Sequence, residues 1–374
     1  MFRTILTTFL LLPFACFAQY GITGKVLNTD NKKPVANASV FLSNTQSGTQ
    51  TNVDGMFTLT GVKPGQYDLV ISCIGYETLH KDLKVNGDIA LATIEISAKT
   101  IVLNEVRIIS DEERERNYQA FKNLFLGPSE FASDCKILNR DVVDISYDKQ
   151  TWILSAKSDD FIEVENKALG YKIKYLLNTF SNDPKNTLFY FEGSAYFEEL
   201  KGSKRQQHNW EKNRLKAYEG SSMHFLRSLP GNNFSKEGFK VLRLIRKLKP
   251  ATTIGAADTY TETIVTTPLA NYDFFKLTTE KGTFALSFND CLYVMYNKKK
   301  ADSPLERVFR TGDKAPPDYM TDYITTTIIF DQPYAFFDSN GIFTNPASVI
   351  FEGNWGKSRV ADMLPVDYEP VIKD

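Results

Sequence analysis

Short apolar runs alternate with turn residues along the first quarter of the chain. Residues 24–27 lead into the polar stretch 28–33 and Pro34-Val35, and 38–42 alternates with the two-residue period of a strand. Asp54-Gly55 tolerates positive φ and predicts a tight hairpin before residues 56–59. Val62-Lys63-Pro64-Gly65 predicts a second turn, because proline presets φ and glycine accepts the left-handed region. Tyr67, Leu69, Ile71 and Cys73 recur at every second position and should line the inner face of one strand. Gly75-Tyr76 ends that strand, and 78–85 and 90–97 supply two more. Strands at this spacing, punctuated by turns, predict a β-sandwich.

Beyond residue 110 the period changes. Residues 111–126 predict a helix, with Glu112, Glu113 and Glu115 in its first turns, where the dipole favours acids. Tyr118, Phe121, Leu124 and Phe125 form its apolar stripe, and Gly127-Pro128 stops it. Strands are predicted at 137–147, 151–156, 161–166, 171–180 and 188–200. After Gly202-Ser203 come two predicted helices, 203–229 and 235–248. Further strands are expected at 260–266, 283–296 and 323–330, then an irregular stretch from Gly353 to Tyr368. No internal repeat is visible. The expected fold is mainly β with an α+β C-terminal part: a β-sandwich at 19–98, a linker strand and helix at 99–130, and a larger mixed α+β domain at 131–374.

A chain of 374 residues is too long for one ordinary domain. Its 42% hydrophobic and 13% aromatic content supports a real core, and 24% charged residues does not suggest disorder. A net charge of −1 excludes a nucleic-acid binder that acts through overall charge. Residues 1–18 read as a signal peptide: Arg3, an apolar run at 5–14, then Cys16-Phe17-Ala18 with small residues where a signal peptidase needs them. Lipidation at Cys16 fits less well, because Pro13 stands where a lipoprotein signal wants leucine. No later stretch reaches the length of a membrane-spanning helix. Cys73, Cys135 and Cys291 are scattered and odd in number, so they are not a disulfide framework, although one bridge is compatible with an oxidising compartment. Cys73 reads as a small core residue.

The leading segments come in a particular order: Gly24…Val26, Pro34-Val35-Ala36-Asn37-Ala38, Gly48-Thr49-Gln50-Thr51, Asp54-Gly55-Met56-Phe57, Pro64-Gly65-Gln66-Tyr67 and Ile74-Gly75-Tyr76. This order resembles the carboxypeptidase regulatory-like domain family across residues 19–98. The resemblance implies a transthyretin/prealbumin-like β-sandwich, a structural or adhesive role, and no catalytic residues. The family includes accessory domains beside carboxypeptidases and the leading domains of many TonB-dependent outer-membrane transporters. Residues 103–109 resemble the linker that follows the domain there. The stretch behind them is shorter than a plug and barrel would need, so no transporter is expected. Four later segments resemble the C-terminal region of secreted bacterial proteins of unassigned function. They are Cys135-Lys136-Ile137-Leu138-Asn139, Glu165-Asn166-Lys167-Ala168-Leu169-Gly170-Tyr171, Lys204-Arg205-Gln206-Gln207 with Trp210-Glu211, and Ala361-Asp362-Met363-Leu364-Pro365. That likeness implies no activity.

Reactive chemistry lacks its parts. His208-Asn209-Trp210-Glu211 has the spacing of two zinc ligands, but zinc catalysis needs a third, and only His80 and His224 complete the histidine set. Gly193-Ser194-Ala195 and Gly220-Ser221-Ser222 lack the nucleophile elbow. The acid pairs Glu163/Glu165, Glu198/Glu199 and Asp159/Asp160 read more simply as solvated strand faces than as a glycosidase pair. No phosphate loop or calcium loop is present. Residues 201–250 carry thirteen lysines and arginines against three acids. Lys204, Arg205, Lys212, Arg243, Arg246 and Lys247 are the candidates for contact with an anionic surface. The plainer reading is that these cations cover a core with their stems and pair with the acidic helix from Asp111. The expectation is a non-catalytic exported protein of the cell envelope, in the periplasm, outer membrane or at the cell surface, acting as a binding or structural module. It carries no catalytic, cofactor or metal residues. The partner stays unknown at this point, with an envelope protein, a glycan and an anionic lipid surface as the open alternatives, and nucleic acid is not expected. The alternative is a secreted peptidase or glycosidase whose site is not visible in sequence.

Overall fold

The computed structural model describes residues 19–99, 109–186, 188–249, 259–300 and 323–371. The expected signal peptide, and the linker-like 103–109 except its last residue, lie outside them.

Seven strands build the leading unit: β1 (Tyr20–Asn28), β2 (Ser39–Leu42), β3 (Gly48–Gln50), β4 (Met56–Val62), β5 (Gly65–Ser72), β6 (Leu79–Val85) and β7 (Ile89–Ile96). They form two sheets, β4-β1-β7 and β3-β2-β5-β6. Ile22, Val26 and Leu59 from one sheet meet Val40, Leu69 and Ile71 from the other in a buried core. This is the predicted β-sandwich. Two details differ from expectation. Asp54-Gly55 does not close a hairpin, because β3 and β4 belong to different sheets. It is a tight crossover turn, with Asn52 Oδ1 accepting from the Asp54 and Met56 amides (3.0 and 2.9 Å) and Gly55 at φ 74°. Cys73 lies just past the end of β5 and is only half-buried, packed against the edge of the core.

Helix α1 (Asp111–Leu126) occupies the predicted span, with the Ser110 hydroxyl capping it by accepting from the Glu113 amide (3.2 Å). Its stripe packs Phe121 on Phe180 and Phe125 on Tyr175, with ring centroids 5.0 and 5.3 Å apart. These partners belong to a six-stranded sheet of β8 (Cys135–Ile137), β9 (Val143–Tyr147), β10 (Leu154–Ser158), β11 (Ile162–Asn166), β12 (Tyr171–Asp183) and β13 (Leu188–Glu199). β13 pairs with the long β12 and forms an edge of the sheet.

The single helix predicted at 203–229 is two, α2 (Lys204–Tyr218) and α3 (Ser222–Ser228), each with a serine cap, Ser203 and Ser221. The helix predicted at 235–248 is instead strand β14 (Phe239–Lys249). Val241, Leu242 and Leu244 are buried on both faces of this strand. With Ile245 and Leu248 their spacing imitates a helical stripe, yet Leu248 is 53% exposed. The remaining elements are β15 (Thr259–Val265), α4 (Asn271–Phe274), β16 (Phe275–Leu277), β17 (Thr283–Leu286), β18 (Cys291–Lys300), β19 (Tyr323–Phe330), β20 (Ala335–Asp338), β21 (Val349–Gly353) and α5 (Asn354–Lys357). They give a five-stranded sheet, β15-β14-β18-β19-β21, and a small one, β16-β17-β20. The strand predicted at 283–296 is thus split between two sheets. Phe225, Phe239, Phe274, Phe337 and Trp355 pack between them. Cys73, Cys135 and Cys291 are free thiols.

Candidate functional site

The leading sandwich is fastened to the six-stranded sheet through the outer face of β2 and β5. Phe41 and Val70, both buried, pack with Phe161, Leu176 and Tyr196. The loop after β2 then joins the edge of β13: the Asn44 amide donates to Ala195 O (2.6 Å), and the Phe197 amide donates to Thr45 O (2.9 Å). Asn44 reaches this position at φ 59°, a conformation asparagine tolerates better than most residues. Its own carbonyl accepts from the Val366 amide (2.7 Å). Arg227 completes the junction, donating to the carbonyls of Asn340, Val366 and Tyr368 (2.8, 2.7 and 2.9 Å).

Beside this dry contact opens a cleft of about 740 Å³ where the sandwich, β13 and the β17–β20 sheet meet. Asp68, His80 and Asp82 line one wall, Glu192 stands on β13, and Glu280 and Phe336 close the far side. The Gln66 side-chain amide spans the two outer walls by donating to Thr283 Oγ1 (2.8 Å). His80 Nδ1 lies 2.7 Å from Asp68 Oδ2. That hydrogen bond raises the His80 pKa, against the opposing effect of burial, and the negative charges of Asp68, Glu192 and Asp82 raise it further. The other Asp68 oxygen is buried with no hydrogen-bond partner among the described residues. Asp338 also reaches the cleft, but its carboxylate is committed to its own turn, accepting from the Asn340 and Ile342 amides (both 3.0 Å). Burial raises its pKa.

The residues singled out from sequence sit elsewhere. Lys204, Arg205 and Lys212 are exposed on α2, and Lys247 is exposed on β14. Arg243 and Arg246 are also on β14, so the six do not share one helical face. Arg243 Nε donates to Asp290 (2.7 Å). Arg246 is clamped between Glu262 (2.9 Å from Nε) and Glu352 (2.6 Å from Nη2). The acidic helix α1 takes its partners from Arg140 and Lys149, outside the basic segment. His208 and Glu211 are exposed on α2, and no group of three or more potential ligands for a metal occurs among the described residues. Ser221 is a helix cap, and the ring of His224 accepts from the Gly220 amide through Nδ1 (3.1 Å), so the two form no catalytic pair. Glu163 and Glu165 pair with Lys172 and Lys167, and Glu198 and Glu199 with Lys174 and Arg214.

The four segments that carried the second likeness do converge. Asn166, fully buried, pairs with Cys135 across β11 and β8 and donates to Ala361 O (2.9 Å). Trp210 Nε1 donates to Lys167 O (2.8 Å). A Cβ on Gly170, at φ 72°, would stand 2.2 Å from the Trp210 indole. This knot fixes α2 to the sheet, and its polar groups are spent on backbone. A smaller hollow of about 390 Å³ lies against it. Sequence reasoning missed the acid-lined cleft. The one signal for the junction was the unbroken runs Val40-Phe41-Leu42 and Leu69-Val70-Ile71, which mark strands covered on both faces.

Parts of the chain are similar to known proteins. Over 113 residues the chain is 35% identical to the TonB-dependent receptor P39 of Formosa agariphila, an alignment that takes in 29% of this chain and 10% of that protein. The chain therefore spans about a tenth of that relative's length. A pilus 2b backbone protein of group B streptococcus is 21% identical over 22% of this chain and 42% of its own, with a TM-score of 0.19. A putative membrane-associated protein of unknown function from Bacteroides fragilis is 8% identical over 90% of this chain and 98% of its own, with a TM-score of 0.18. The fold assignment rests on the strand pairing rather than on these scores. Residues 22–108 match the family described as CarboxypepD_reg-like domain, and with two sheets packed face to face in that span, the leading unit of this chain is a carboxypeptidase regulatory-like domain.

Proposed function

We propose that the protein is a non-catalytic binding module of the cell envelope that holds its ligand in the cleft between the regulatory-like domain and the larger β-rich part. The observation that carries this reading is the cleft itself, of ligand size and walled by three sheets, with Asp68, Asp82, Glu192 and Glu280 outnumbering Lys84 and His80 along it. Unbalanced carboxylates around one space favour a cationic ligand. The leading family domain, and a relative named as a TonB-dependent receptor, support the envelope setting. Calorimetry against panels of peptides and glycans tests the reading. Binding without turnover, weakened in Glu192→Lys, is the expected result; sustained turnover sinks it. Cell fractionation should find the protein with the envelope.

Contact with an anionic surface through Lys204, Arg205, Lys212 and Lys247 belongs to the same proposal, as a second attachment. Arg243 and Arg246 contribute little to it, because carboxylates already hold them.

One observation favours the hydrolase reading. Asp68 holds Nδ1 of His80 in a cleft also lined by Ser43 and Ser194, which leaves Nε2 as the other ring nitrogen. No hydrogen bond joins His80 to Ser43 or Ser194 among the described residues, which leaves the nucleophile of such a pair unassigned. This reading requires turnover that disappears in His80→Ala.

A further inference from the structure

β13 is an edge strand, and only half of its outer edge is in use. Asn44 and Thr45 bridge it in parallel at Ala195 to Phe197. In an antiparallel ladder every second residue turns both backbone groups away from its partner. Ala195 and Phe197 are turned outward, so Phe189, Phe191 and Gly193 are as well. The register shift opposite, between Leu177 and Thr179, is in β12 and leaves the alternation of β13 unbroken. Among the described residues no backbone group outside β12 pairs with these three. Natural edges are normally short, charged or covered. This strand is long and carries Leu188 and Tyr190, 50% and 36% exposed.

We infer that the edge of β13 from Leu188 to Gly193 accepts an extended peptide bearing basic side chains as an added strand. Two features choose this occupant. The first is continuity: the loop at Asn44 already adds itself to the same edge, so an incoming strand prolongs a ladder that exists. The second is charge: the edge enters the cleft at Glu192 and Gly193, facing Asp68, Asp82 and Glu280. Lysine or arginine at alternate positions of the added strand would meet those carboxylates. The other strand edge on the cleft, β6, is blunted by Lys81, Asp82 and Lys84, which disfavours strand addition there.

The inference rests on the cleft being a binding site, and the test separates the two. The full chain is titrated with an alternating Lys-Val peptide, its Glu-Val counterpart, and a Lys-Val peptide methylated on alternate amides. Hydrogen exchange is followed at 188–194. The Lys-Val peptide should bind and slow exchange there. Amide methylation, Glu192→Lys and Asp82→Lys should each weaken it by about tenfold or more, and the Glu-Val peptide should not bind. Equal binding of the methylated peptide, protection elsewhere, or no binding at low salt overturns strand addition. Spermidine serves as the second probe. If it stabilises the wild type but not Glu192→Lys while the peptides fail, the cleft remains a binding site and only the added strand is lost. If neither binds, both proposals fall.

Discussion

Val70 and Asp68 stand two residues apart on the same face of β5, yet they meet opposite surroundings. Val70 is fully buried against Leu176 and Phe161, in the dry contact that fastens the regulatory-like domain to its neighbour. Asp68 lines an open, acid-rich cleft and shares its charge with His80. One sheet face is therefore divided between a buried joint and an accessible wall. A bound ligand would meet a wall held rigid by the joint beside it, which limits the ordering cost of binding.

The largest effect expected from breaking this division comes from carrying the chemistry of one half into the other. Val70→Asp places an unpaired carboxylate in the dry contact and should cost about 3–5 kcal/mol, whereas Val70→Ala should cost about 2 kcal/mol. Urea unfolding measures both. If Val70→Asp costs no more than Val70→Ala, the contact is wet and the joint is not buried. Gly48 gives a smaller and more local test. A Cβ there would lie 2.5 Å from the Tyr196 ring, so Gly48→Ala should cost about 1–3 kcal/mol by overpacking. Shortening the ring with Tyr196→Leu should recover part of that loss, and a strictly additive double mutant would show that the two do not touch.

In the cleft half, Asp68→Asn should change titration more than stability. The folded pKa of His80 is raised by its bond to Asp68. Its stabilising contribution is thus present below the unfolded histidine pKa and is lost as pH rises through the folded value. Asp68→Asn removes it, so the variant should lose stability on the acidic side of neutrality and match the wild type above the folded pKa. Both groups are about one-third exposed, so the loss stays below about 1 kcal/mol. An NMR titration of His80 checks the downward shift; an unchanged midpoint would contradict the pairing.

Much of the joint was legible and the cleft was not, for a physical reason. Alternation in β5 marks Tyr67, Leu69 and Ile71 as inward, and the intervening Val70 hints that the outer face is covered too. The same kind of run misled at β14, where Val241, Leu242 and Leu244 cover both faces of a strand and imitate a helix. The cleft draws Asp68 and Glu192 from two separate sheets, and Glu280 and Asp338 from a third, the β16-β17-β20 sheet and its first turn. No local period connects them; contacts distant in sequence bring their strands together, among them the pairing of Asn44 with Ala195 and Val366 and the Gln66–Thr283 hydrogen bond.

The smallest stability effect belongs to a surface remote from both halves. Lys204, Arg205 and Lys212 are exposed on α2, whose docking depends on Trp210, Asn213 and Arg214 instead. Replacing all three with Glu should leave unfolding within about 0.5 kcal/mol of the wild type. Each cation is nonetheless worth about 1 kcal/mol beside an anionic bilayer before screening. Vesicle co-sedimentation should therefore show binding to anionic lipid that falls with added salt and disappears in the triple variant, while binding at the cleft persists. Binding that survives charge reversal, or that is equal on neutral vesicles, would assign the membrane contact to another surface and leave the cleft as the protein's single proposed attachment.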